Sequence, residues 1–177
     1  VGRGVATLWH DVDGTVWAGV SQAAKGNLLQ ILPSGRVTHH GPRSGIVGSG
    51  VRSLFRDRDR TLWIGTEDGD LVGWWQDGKV RIGEEHGLKV DSVESLFEDL
   101  EGSLWVGTSP AGLVRVRDGQ FRTITVRDGL PTDLVWSVYR DRQDRIWVGS
   151  DRGVSVVEDG RVVRHYGPKD GLLRGFV

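Results

Sequence analysis

The sequence predicts an all-β fold: a β-propeller of four blades, each of four antiparallel strands, expected as a partial ring or one completed by oligomerisation. The first observation is a repeat. Trp17, Trp63, Trp105 and Trp147 sit in the related strings TVWAGV, TLWIGT, SLWVGT and RIWVGS, at spacings of 46, 42 and 42 residues. The second is that each tryptophan has the same companions. An aspartate lies six residues before it (Asp11, Asp57, Asp99, Asp141) and a glycine two residues after it (Gly19, Gly65, Gly107, Gly149). The third is composition: 27 glycines against five prolines, with no polar low-complexity tract, suits short strands and tight turns better than disorder. Self-similarity with several independent anchors marks a repeat array, and about 40 to 45 residues is the size of a propeller blade.

Residues 1–177 read as one propeller segment with blades at 4–48, 49–90, 91–132 and 133–174. In the second repeat the strands are VRSLFRD, LWIGT, LVGWWQ and KVRIG, separated by RDRT, EDGD and DG, which carry hairpin-turn chemistry. No segment sustains a 3.6-residue period, so helices are not predicted. A second glycine recurs 24 residues after the last three tryptophans, in HGL at Gly87 and DGL at Gly129 and Gly171. Its counterpart Gly45 follows Trp17 by 28 residues, which places a four-residue expansion in a loop around Ser21 to Asn27.

Each anchor has a structural reading. Along LWIGT the tryptophan and the glycine after next share a face, so a missing side chain beside a large ring lets a neighbouring sheet approach. The four tryptophans are therefore predicted to be buried between blades rather than to serve as ligand platforms. A small hydroxyl recurs on the first strand, at Thr7, Ser53, Ser95 and Ser137. Crowding near an axis would favour it if that strand is innermost. The repeated aspartate suits hydrogen bonding to backbone N–H groups of a turn, and four copies mark a turn rather than an active site.

Composition excludes several function classes. With 23 Lys+Arg against 24 Asp+Glu, no large net field is available to hold a nucleic-acid backbone. There are no cysteines, which rules out disulfides, thiolate metal sites and cysteine nucleophiles. No run of about 18 apolar residues spans a bilayer, so direct membrane insertion is not predicted. The chain starts with Val1 and reads as a processed or excised segment, which leaves its compartment open.

The pattern V-x-S-L-F-x-D, then L-W-I-G-T, a strand, D-G, another strand and D-G-L, resembles the two-component regulator propeller repeats. It fits 51–171 best, and the first repeat departs from it with Ala18 and with Gly45-Ile46. The resemblance implies a sensor propeller, commonly seven-bladed, in the extracytoplasmic (periplasmic) region of a bacterial signalling protein. It further implies ligand or partner sensing, often linked to carbohydrate use. It supplies no catalytic residue and no cofactor.

The chemistry-bearing motifs favour structural readings. The DxDG at Asp11 to Gly14 has the look of a calcium loop, but its equivalents read DRDR, DLEG and DRQD, with arginine where a cation needs oxygen. An Asp-box turn of the sialidase kind has a shorter Asp-to-aromatic interval, and no acid and nucleophile pair can be assigned. His10, His39, His40, His86 and His165 form no spaced metal motif. Streptogramin lyases are propellers of similar period with a different tryptophan motif, and no matching His and Glu pair is assignable here.

Candidate ligand residues fall in two places. Arg52 and Trp136 occupy one position of the first strand, where other repeats carry Ala6 and Glu94, and would stand in a central channel if that strand lines it. Lys25, Asp68, Lys89, Asp91, Asp133 and Arg152 fall on loops that link second to third strands or one blade to the next, a rim that can vary over a fixed scaffold. Trp74 and Trp75 break the pattern, and one of the pair is predicted to face solvent or a partner, or to cap a blade edge. The leading functional reading is a noncatalytic sensor or binding module for a small molecule or carbohydrate. A self-assembling or structural fragment, or further blades of a parent chain, is the second, since an open arc exposes two sheet faces. Two arcs paired head to tail would form an eight-bladed ring. A propeller lyase or glycosidase is the third.

Overall fold

The structure, a computed structural model, describes residues 4–21, 27–46 and 50–172. It contains four antiparallel sheets of four strands, each in sequential order with its first strand at one edge. The first holds β1 (Val5–His10), β2 (Val16–Val20), β3 (Leu28–Ile31) and β4 (Val37–His40), and the second holds β5 (Val51–Arg56), β6 (Leu62–Thr66), β7 (Leu71–Trp75) and β8 (Gly78–Ile82). The third holds β9 (Ser92–Glu98), β10 (Leu104–Ser109), β11 (Leu113–Arg117) and β12 (Gln120–Ile124). The fourth holds β13 (Val135–Arg140), β14 (Ile146–Ser150), β15 (Gly153–Glu158) and β16 (Arg161–Tyr166). The chain divides into two compact units, Val1–Val93 and Glu94–Val177, with the boundary inside β9. The segment between β2 and β3 spans 21–27, and the expanded loop there falls largely outside the described residues.

Turn chemistry sets the hairpins. Asp118-Gly119 and Asp159-Gly160 carry positive φ at both positions, the two-residue geometry whose twist matches the flanking strands. In the second sheet Trp75 pairs with Gly78, so the turn is Gln76-Asp77, one residue before the DG predicted. The Trp75 indole lies against Gly78 and would meet any side chain there, which is why the glycine takes the paired position. After each sheet the sequence gives no helical period, yet one 3-10 turn forms there: Pro42–Ser44, Glu84–His86, Val126–Asp128 and Pro168–Asp170. Three residues are too few to show a period. The recurring Gly45, Gly87, Gly129 and Gly171 end these turns in the left-handed conformation, which explains their repetition.

The aspartate six residues before each tryptophan does more than hold a turn. Asp11, Asp57, Asp99 and Asp141 each accept the indole N–H of their own Trp17, Trp63, Trp105 and Trp147 on Oδ2, at 2.8–2.9 Å. In three copies Oδ1 takes a backbone N–H from the same turn, of Thr61, Ser103 or Arg145. The first copy differs: Asp11 Oδ1 takes Trp9 Nε1 at 2.9 Å, and the Arg56 guanidinium from the next sheet binds both Asp11 oxygens at 2.6 Å. With both oxygens occupied by donors, Asp11 belongs to the scaffold rather than to a cation loop. Burial pushes the Asp11 carboxyl upward, but Arg56 and Trp17 outweigh it and hold the group below its ordinary range. The Asp141 carboxyl follows the same balance, desolvation opposed by Trp147, Arg145 and two backbone N–H groups, and is lowered to about 2.

The inter-sheet core forms separately in each unit. In the first, Trp17, Leu28 and Ile46 pack with Val51, Leu54, Ile64 and Val72 of the second sheet. In the second, Trp105, Leu113, Ile124 and Leu130 pack with Val135, Val138, Ile146 and Val148 of the fourth. Trp17 and Trp105 are buried as predicted, while Trp63 and Trp147 are half-buried. The Trp147 ring instead stacks on Tyr166 of its own sheet, at 5.9 Å between centroids.

The glycines beside these rings are required by close approach. A methyl group at Gly107 would run into Ser95 Oγ and the Val135 and Val138 side chains of the next sheet, whereas at Gly149 its nearest neighbours would all be atoms of Ser137 on its own sheet. We expect Gly107→Ala to destabilise the fold by about 1–3 kcal/mol as an overpacked core does, and Gly149→Ala by less, since exposed Ser137 can turn away. Urea midpoints check this, and equal losses would contradict it. Because the Asp141 carboxyl is lower folded than its ordinary 3.8, its contribution is complete above that value and disappears as pH falls toward 2. The stability gap between the wild type and Asp141→Asn at about pH 5 should therefore close by about pH 2. A gap that stays constant would contradict the pairing.

Candidate ligand-binding site

Within the first unit, the β6–β7 turn and the connector after β8 line an open polar pocket of about 450 Å³. Three of the rim residues singled out from sequence, Asp68, Lys89 and Asp91, line it together. The turn stays fixed because the Asp70 backbone N–H donates to Thr66 Oγ1 at 2.9 Å and the Thr66 N–H donates to the Asp70 carbonyl. Buried Leu88, delivered by the HGL connector, anchors this segment beside the pocket.

The electrostatics rest on residues that sequence reasoning missed. The Asp70 side chain is nearly buried, and Arg81 on β8 donates Nε–H to its Oδ2 at 2.7 Å and Nη1–H to Glu85 Oε1 at 3.0 Å. The hydrogen bond to Asp70 holds the Arg81 guanidinium above its ordinary range. Glu85 is lowered by a backbone hydrogen bond, then by Arg81 and His86. Lys89 Nζ stands 3.6 Å from Glu84 Oε1, with both side chains largely in solvent. The available signal was the density of charge in EDGD and GEEHGLKVD, two segments that the strand pattern places at one rim. The wall thus offers carboxylate acceptors beside cationic donors, which suits a small solute with many hydroxyl or amino groups.

The other sequence candidates lie elsewhere. Asp133, the counterpart of Asp91, accepts the Val126 N–H on Oδ1 at 2.8 Å, while its carbonyl accepts the Gly112 N–H at 2.8 Å. It therefore ties its connector to the β10–β11 turn. Arg152 is exposed on the β14–β15 turn, and its N–H donates to Ser150 Oγ at 3.3 Å. Lys25 lies outside the described residues.

Arg52 and Trp136 both fall where the register between first and second strands shifts, between Val51 and Ser53 and between Val135 and Ser137. Such bulges bend a strand and re-aim one side chain. Arg52 is exposed in the first unit and Trp136 half-buried in the second. Of the unusual pair, Trp75 is exposed, while Trp74 packs edge-on against Trp17 at 5.6 Å and His40 at 4.8 Å, with Lys79 Nζ 4.2 Å above it.

Comparison with known proteins fits this architecture. Residues 45–68 and 129–152 match the family described as Two component regulator propeller. No curated protein matches the sequence. Among solved structures, the chain is similar to one named as the extracellular domain of a hybrid two component system, BT3049, of B. thetaiotaomicron. The identity is 22% and the TM-score 0.84, over 98% of this chain and 24% of that one. A second such domain, BT4673, is 24% identical with a TM-score of 0.67, over 86% of this chain and 21% of that one. The chain thus spans less than a quarter of the length of these proteins. The virginiamycin B lyase of Staphylococcus aureus, solved with quinupristin, is 14% identical with a TM-score of 0.73, over 94% of this chain and 56% of that one. These likenesses show the fold, that of β-propeller blades.

Proposed function

For a chain that carries two component regulator propeller repeats, we propose a noncatalytic sensor module that recognises a small polyhydroxylated solute on its connector rim, outside the cytoplasm. The observation that carries this reading is the convergence of Asp68, Lys89 and Asp91 with Asp70 and Arg81 in one polar pocket. Loops on a fixed scaffold can change their ligand without disturbing the core, which is the property a sensor repeat needs. The repeated aspartates, which would be the first candidates for acid-base chemistry, are occupied by indole and backbone donors. That occupation favours binding over catalysis. The extracellular domains of hybrid two component systems among the similar folds support the signalling setting and the compartment.

A thermal-shift screen of mono- and oligosaccharides tests the proposal, because a solute that prefers the native state raises its stability. A solute found this way should bind at least about tenfold more weakly to Asp91→Asn and to Lys89→Ala, a loss of about 1.4 kcal/mol. Arg152→Ala should bind as the wild type does. Unchanged affinity in both pocket variants, or an NMR footprint on the opposite rim near Gly78, Gly119 and Gly160, would overturn it.

A further inference from the structure

The repeat lets the seam between the first and second sheets be compared with the seam between the third and fourth, each inside its own unit. Pairing with the buried start of the third strand marks one position on the last strand: Leu28 pairs with His40, and Leu113 with Ile124. In the second unit Ile124 is 1% exposed and packs in one cluster with Val157 of the fourth sheet, with Val162 against it. Val157 and Val162 are cross-strand partners. Their equivalents in the second sheet, by pairing to the strand that carries the repeated tryptophan, are Trp74 and Lys79. An aliphatic trio in the second unit is thus a histidine, a tryptophan and a lysine in the first.

The His40 ring sits between two indoles, 4.8 Å from Trp74 in an edge-on contact and 5.7 Å from Trp17, measured between centroids. Its Nε2 lies 3.2 Å from Gln30 Oε1. From β8, Lys79 Nζ stands 4.2 Å over the Trp74 ring and donates to the Ser44 carbonyl at 2.7 Å, which ties the connector after β4 to the second sheet. The charges that act on the imidazole are therefore cationic: Lys79 across the seam and His39 beside it on β4. The Asp11 carboxylate, bonded to the Trp17 indole, is already paired with Arg56. An imidazolium gains about 0.5–2 kcal/mol from an aromatic face, but the Trp74 ring already holds the Lys79 ammonium. Burial, then Lys79 and His39, hold the His40 imidazole below its ordinary 6.5. Because the folded value is the lower one, the contribution of the neutral ring is complete above 6.5 and is lost as pH falls from there through the folded value.

We propose that the seam between the first and second sheets is an acid-sensitive switch, in which proton uptake by His40 releases β4 and its connector from Trp74 and Lys79. The aliphatic seam of the second unit has no titratable group at these positions and stays closed. The switch does not depend on the ligand reading of the connector pocket.

NMR on the intact chain tests it between about pH 8 and about pH 5, the range in which a histidine changes charge. The His40 ring signals should titrate with a midpoint below 6.5. Over the same range the amide-exchange protection factors of β4 should fall while those of β12, its equivalent in the second unit, hold, as local opening of one seam requires. His40→Ile, which installs the residue type found at Ile82 and Ile124, should keep β4 protected at about pH 5. The first two readings need no variant. A His40 midpoint at or above 6.5, equal losses of protection in β4 and β12, or an acid loss that persists in folded His40→Ile would each overturn the proposal.

Discussion

The hydrogen bond from an indole N–H to the aspartate six residues earlier is the constraint from which the rest of this structure follows. Bringing a tryptophan ring between two sheets removes about 150–250 Å² of surface from water, but it also strips the indole N–H of its solvent partner. A buried donor left without an acceptor costs about 1–3 kcal/mol, a large share of what the ring contributes. The aspartate settles this within the same hairpin. Its second oxygen takes backbone N–H groups of the turn in three of four repeats, so one side chain fixes the turn, the second strand and the orientation of the ring together. In the first repeat the arrangement extends to the next sheet through Arg56, which joins the Asp11 turn to β5.

That economy leaves the opposite rim free to vary. The turns after the first strands are committed to aspartate, whereas the β6–β7 turn and the connectors carry different polar residues in each repeat. The connector of the second sheet combines a 3-10 turn, a left-handed Gly87 and a buried Leu88, which anchor it firmly while Glu84, Glu85, Lys89 and Asp91 face outward. In the third sheet the same connector uses Asp133 to bind its own backbone and Thr125 to cap the turn. The two connectors share a fold and differ in what they leave to solvent, which is how repeats can specialise without losing their packing.

Much of this was legible in the sequence, at the level where a residue acts within its own repeat. The strands, the DG turns at Asp118 and Asp159, and the shared face of Trp105 and Gly107 follow from period and turn chemistry alone. What escaped depends on neighbours. Nothing in TLWIGT or RIWVGS separates Trp63 and Trp147 from Trp17 and Trp105, because the burial of a repeated residue is set by the sheet beside it. The aspartate spacing was visible, but reading it as an indole acceptor requires the turn that brings Oδ2 back to the ring. Arg81 was overlooked because it sits on an outer strand, where charge reads as solvated surface. Asp133 looked like its counterpart Asp91 until the structure gave its carboxylate a backbone partner.

The most direct test of the account is a double-mutant cycle on the buried third copy, using Asp99→Ala, Trp105→Phe and the pair, followed by urea unfolding. The Trp105 indole donates to Asp99 Oδ2 at 2.8 Å inside the core, so the two substitutions should be strongly non-additive. A coupling energy of about 1 kcal/mol or more is predicted, within the range found for contacting residues. Losses that add to within about 0.3–0.5 kcal/mol would show that aspartate and tryptophan act independently, and would contradict the claim that their hydrogen bond organises the repeat.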